Sequence, residues 1–136
     1  MQTLRHVVCG TDFSESAEQA LELALALAAA ANVPVTVVHV CEQCVDDIDD
    51  RRLAQCGAAL SELVARHAFH GVAIAGVLRL GEPWRKLDNV AAEVGAGLIV
   101  IGRSGAGRGR SSELGAIAEQ LVRRASRPVL TVACNF

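Results

Sequence analysis

A chain of 136 residues, 51% of them hydrophobic, is the size of one domain with one core, long enough to bury most of its apolar surface without disulfides or metals. Its net charge of −2 excludes a globally basic protein that coats nucleic acid, and its longest apolar run, Leu23 to Ala31, has nine residues against the roughly twenty that cross a bilayer. Residues 1–136 therefore read as a single domain with no membrane span and no nucleic-acid partner.

Val7 to Cys9 is the first short β-branched run and predicts a strand; no secretory signal is visible before it, so the expected compartment is the cytoplasm. The segment CGTDFSES follows. Its Gly10 lets another group approach the backbone, and Thr11 and Asp12 carry oxygens that can reach a hydroxyl or a metal. The same residues also read as a turn with a helix cap, supplied by Asp12 or Ser14. From Glu15 to about Ala31 the chain is nearly all Ala and Leu, which gives high helix propensity and a broad buried face.

Val33 to Cys41 predicts the second strand, with His39 as a packing histidine. The five cysteines, Cys9, Cys41, Cys44, Cys56 and Cys134, are an odd set that suits a reducing compartment, and most read as small buried side chains. Cys41 and Cys44 have CxxC spacing. Without a second Cys or His pair they are half a zinc site, and they follow a strand instead of opening a thioredoxin-like helix. The acidic run DDIDD lacks the glycine turn and terminal Glu of a calcium loop, and reads as the acidic start of a helix. That helix carries Leu53, Cys56, Leu60, Leu63 and Val64 at helical spacing; His67 and His70, near its end, are expected to face solvent or complement its C-terminus.

Val72 to Leu80 predicts the third strand, and Trp84, Leu87, Val90, Ala91 and Val94 mark the apolar face of a third helix with Pro83 in its first turn. Leu98 to Ile101 is the fourth strand. The stretch from Gly102 to Ala116, GRSGAGRGRSSELGA, then packs five glycines and three arginines before a helix marked by Leu114, Ala118, Leu121, Val122 and Ala125, with Ser111 or Ser112 as its cap. Pro128 to Ala133 closes the series as a fifth, apolar strand with no helix after it.

Strict alternation of strand and helix predicts parallel strands joined by right-handed crossovers, a doubly wound α/β domain with helices on both faces of a five-stranded sheet. Ligands of such sheets bind beyond the carboxyl ends of the strands, where strand order reverses. Two loops qualify by composition: the one at Asp12, and the glycine-arginine stretch, where Gly102, Gly105, Gly107 and Gly109 permit unusual backbone angles and lead into a helix N-terminus suited to an anion. Arg103, Arg108 and Arg110 would add charge; the bland alternative is a soluble connection whose arginines face water. A Walker loop is excluded, since the only lysine is Lys86, in another segment. The dinucleotide fingerprint is excluded as well, because the glycines fail its spacing and follow the fourth strand instead of the first.

Gly102, two residues, Gly105, nine residues, Gly115: this spacing resembles the nucleotide-binding motif of the universal stress protein family. The resemblance covers the whole chain, through GTDFSES, VVHV, LRLGEPW, LIVIGRSG and the final GAIAEQLVRRASRPVLTV. It implies a Rossmann-like parallel sheet in the order 3-2-1-4-5, with the first and fourth strands adjacent and the two loops facing each other. It further implies that Asp12 contacts ribose or phosphates, that the Val40 backbone meets the adenine edge beside Gly10 and Thr11, and that Gly102 and Gly105 let the chain wrap the ribose and phosphates. The N–H groups around Gly115 and Ala116 would take the phosphate tail, with Arg103 and Arg110 adding charge. Any magnesium would arrive with the nucleotide near Asp12. One position departs from the pattern: nucleotide-binding members have Ser or Thr where this chain has Ala116.

Two readings of function follow. In one, a cytoplasmic stress-response protein binds ATP or AMP as a sensor or regulator; in the other, the chain has lost useful nucleotide affinity and acts as a dimeric interaction module with an unknown protein partner. The resemblance implies homodimers, and an apolar terminal strand at a sheet edge would invite such pairing. No residue is assigned a catalytic role, since there is no GxSxG elbow and none of the four histidines sits in a recognisable nucleophile arrangement; weak ATP hydrolysis stays open.

Overall fold

The computed structural model describes residues 4–41, 50–68, 71–103 and 115–133, and strand and helix alternate throughout them. The strands are β1 (Val7–Gly10), β2 (Val35–Cys41), β3 (Ile74–Leu80), β4 (Leu98–Gly102) and β5 (Val129–Val132). The helices are α1 (Glu15–Ala31), α2 (Asp50–Arg66), α3 (Pro83–Val94) and α4 (Ala116–Arg124). All strand pairs are parallel and the sheet runs β3-β2-β1-β4-β5, as anticipated.

The period-two geometry of the strands sorts their side chains into two cores. On one face Val7 and Cys9 of β1, Val35 and Val37 of β2 and Val100 of β4 pack with Ala20, Leu21 and Ala24 of α1 and with Leu60 and Leu63 of α2. On the other, Val8, Val38, Ile99 and Ile101 pack with Trp84, Leu87 and Val90 of α3 and Ala118 and Leu121 of α4. Central β1 is buried along its whole length, which explains why it reads as an unbroken apolar run.

Helix ends follow local chemistry. Ser14 is the N-cap of α1, its Oγ accepting from Ala17 N at 3.2 Å. Asn32 closes that helix in the left-handed conformation with φ 57°. Val33 N then donates to Ala28 O at 3.0 Å, so the residue belongs to the helix stop and β2 starts at Val35, later than expected.

Three expectations fail locally. Helix α4 is not capped by Ser111 or Ser112: it begins at Ala116 with Gly115 as N-cap and no side-chain hydrogen bond; both serines and Leu114 lie outside the described residues. Val122, read as part of its apolar stripe, is 55% exposed. His67 does not face solvent. It is buried between α1 and α2, where its Nε2 donates to Glu18 Oε1 at 2.7 Å, and Arg66 approaches the same oxygen at 3.5 Å. His70 lies outside the described residues.

Candidate functional site

Order reverses between β1 and β4: the chain winds from β1 outward to β3, then returns to the other side of β1. Beyond the carboxyl ends of β1, β2 and β4 this opens a cleft of about 780 Å³, within the size of small-molecule sites. Eight of the residues singled out from the sequence, Gly10, Thr11, Asp12, Val40, Gly102, Arg103, Gly115 and Ala116, line it together. Gly105, Arg108 and Arg110 lie outside the described residues.

The β1–α1 loop is held by its own polar atoms. Thr11 N donates to Val38 O at 2.9 Å, Thr11 Oγ1 accepts from Phe13 N at 3.0 Å, and Asp12 Oδ1 accepts from Ser14 N at 3.0 Å. These bonds hold Phe13 at φ 65°, a conformation that a bulky residue adopts at a cost. His39 secures the loop from the next strand. Its Nδ1 donates to Thr11 O at 2.8 Å, and its ring meets that of Phe13 with centroids 4.6 Å apart. The packing histidine of the sequence is thus part of the cleft lining and positions the Thr11–Asp12 backbone.

The glycines have packing reasons of their own. A Cβ at Gly10 would stand 3.1 Å from the Leu87 methyls and 3.3 Å from Ile101, so the group approaching this backbone is the core beneath the cleft. A Cβ at Gly102 would strike Ser16 Oγ and lie 3.0 Å from the Ser16 backbone carbon and oxygen. Glycine at 102 lets α1 lie against the end of β4.

Past Gly102, the backbone of Arg103 joins two elements: its N–H donates to Val132 O of β5 at 2.8 Å, and its carbonyl accepts from Gly115 N at 2.8 Å. The Gly115 N–H is therefore taken. The first bond within α4 is Glu119 N to Gly115 O at 2.9 Å, so the helix supplies no acceptor for the N–H groups of Ala116, Ile117 and Ala118. All three residues line the cleft. The anion-attracting end of α4 thus starts one residue later than expected, and the positive pole of its dipole lies at the cleft wall.

Arg52, Cys56 and Glu82, which nothing in their local sequence marked as site residues, also line the cleft. Arg52 and Arg103 are its cations and Asp12 and Glu82 its anions among the described residues. Burial, together with contact to Cys41, raises the Cys56 thiol above its ordinary range, and Arg52 opposes this. Among the described residues no group of three or more His, Cys, Asp or Glu side chains could hold a metal ion, and no helix is long and apolar enough to cross a membrane.

Comparison with known proteins agrees with this architecture. The model of the Universal stress protein family matches residues 3–133. Universal stress protein UspA from Lactobacillus plantarum shares the fold with a TM-score of 0.81 at 17% identity, over 97% of this chain and 99% of its own. The universal stress protein from Archaeoglobus fulgidus in complex with dAMP is 29% identical, with a TM-score of 0.72, over 96% of this chain and 98% of its own. A universal stress protein in complex with cAMP is 27% identical, with a TM-score of 0.76, over 96% and 98%. No curated protein sequence matches the chain.

Proposed function

The chain belongs to the universal stress protein family, and on that footing we propose that its cleft binds an adenine nucleotide, ATP or AMP, and that the protein acts as a nucleotide-responsive sensor or regulator in the cytoplasm. The observation that carries this reading is the N-terminus of α4, capped by Gly115 with no side-chain hydrogen bond, with Ala116, Ile117 and Ala118 on the wall of the cleft that Asp12 and Val40 also line. Such an end suits a phosphate tail. The Val40 backbone suits the adenine edge, and Asp12 suits the ribose and any magnesium carried by the phosphates. Relatives of similar fold that hold dAMP and cAMP support the choice of an adenine nucleotide. The role is binding; no catalytic group is assigned.

Ala116 offers no hydroxyl to such a phosphate. A hydrogen bond to a charged group is worth about 1.5–3 kcal/mol, so calorimetric titration should show ATP or AMP binding below about 1 mM and Ala116→Ser tightening it roughly tenfold or more. Binding weaker than this for ATP, AMP and GTP alike would refute the proposal, and would leave the interaction module as the better reading.

We also place a homodimer contact on β5. It pairs with β4 at one border of the sheet, and its residues Val129 to Val132 are all half-buried in the single chain. An apolar edge of this kind presents unpaired N–H and C=O groups to which a second strand can add. Sedimentation equilibrium across a dilution series should give twice the chain mass, with Thr131→Lys shifting the species to monomer; a monomer at every concentration would overturn it.

A further inference from the structure

Two helix starts border the cleft, and they offer opposite chemistry. That of α4 presents N–H groups, whereas that of α3 presents Pro83, which has no N–H, and Glu82, its N-cap, whose side chain makes no capping hydrogen bond. Glu82 Oε1 meets Arg85 Nε at 3.4 Å, between two exposed side chains, so the carboxylate keeps acceptor capacity for another donor.

Packing sets that carboxylate past the end of β1. Leu87 of α3 lies against Gly10, the last residue of β1: a Cβ at Gly10 would stand 3.1 Å from its methyls. Pro83 is one helical turn before Leu87, about 6 Å nearer the start of α3, and α3 begins at the carboxyl ends of the strands. Pro83 and Glu82 therefore stand beyond β1, and both line the cleft. Val40 faces the same space. Main-chain groups alternate in direction along a strand: Val38 O accepts from Thr11 N at 2.9 Å on the β1 side, and Cys41 O accepts from Gly81 N at 3.4 Å on the β3 side. The N–H and C=O of Val40 thus turn toward β1, whose pairing with β2 ends at Gly10 and Val38, and so toward the cleft.

We propose that Glu82 makes the cleft selective for a 6-aminopurine over a 6-oxopurine, its carboxylate accepting from the exocyclic amine while the Val40 main chain holds the neighbouring ring edge. The inference rests on the nucleotide reading above and adds the class of base. An amine donates where an oxo group only accepts, and a carboxylate, itself acceptor-only, attracts the first and repels the second. Arg52 could donate to an oxo group, but it enters from α2, which packs on the opposite face of the sheet from α3.

Calorimetric titration of the full chain with AMP and with IMP tests this. The two share phosphate and ribose, so any effect of a substitution on charge at the phosphate or on the fold cancels in the ratio of their affinities. AMP should bind the tighter, and Glu82→Gln, whose amide can donate to an oxo group as well as accept from an amine, should shrink the AMP:IMP ratio about tenfold. A ratio that Glu82→Gln shifts by less than about threefold, or IMP as the tighter ligand of the starting chain, would overturn the role of Glu82 and leave the nucleotide reading standing. Failure of both nucleotides to bind would remove the two together.

Discussion

Gly102→Val should destabilise the protein by about 3 kcal/mol, the upper end of what overpacking costs. The reason is local. The new Cβ would fall on Ser16, whose backbone carbon and oxygen are 3.0 Å away and belong to α1, so no flexible side-chain end can yield. Ser16 is itself buried at 6% exposure, and valine's further methyl groups have no open space beside it. For a domain of this size the loss lowers Tm by about 10 °C. Gly102→Ala meets the same atoms with one carbon and should cost about 1–2 kcal/mol, and Ser16→Ala added to it should restore part of that loss by removing the hydroxyl. Thermal and urea unfolding of the four chains measure both effects. Gly102→Val within about 0.5 kcal/mol of the starting protein would show that the α1–β4 contact is looser than described.

Ala116→Asp should move stability and ligand binding in opposite directions. Residue 116 is exposed and opens α4, where the helix dipole favours a negative charge by about 0.3–1 kcal/mol. Tm should therefore hold or rise slightly. The same carboxylate would stand beside the N–H groups proposed to receive a phosphate, so ATP affinity should fall by at least about tenfold, most strongly at low ionic strength. Unchanged affinity would mean that phosphates do not approach α4. Because the fold is not weakened, a loss of binding here cannot be ascribed to unfolding.

Signals that act along the chain were legible in the sequence, and those that act across space were not. The Ala and Leu run bounded α1 correctly because propensity and the Ser14 cap coincide within one segment. The start of α4 was misplaced because Ser111 and Ser112 are the residue types that cap helices, whereas Gly115 caps without a side chain and leaves no compositional mark. His67 was sent to solvent because Glu18, its partner, is 49 residues away. Cys56 was read as a helix-stripe residue for the same reason: it joins Cys41 in the cleft lining only when α2 folds back over β2. At the cleft, the sequence pointed to the two loops, and the family resemblance, more than the spacing of elements, supplied the strand order that brings them together. One detail there came from the fold alone: the Gly115 N–H donates to the Arg103 carbonyl.

The hydrogen bond from Gly115 N to the Arg103 carbonyl also ties the N-terminus of α4 to the end of β4 through main-chain atoms, and the Arg103 N–H carries the tie on to Val132 of β5. Exchanging the Arg103 side chain for any other than proline leaves both bonds in place. The place of α4 at the cleft wall is thus written into the backbone, and the charge at position 103 can answer to whatever the cleft holds.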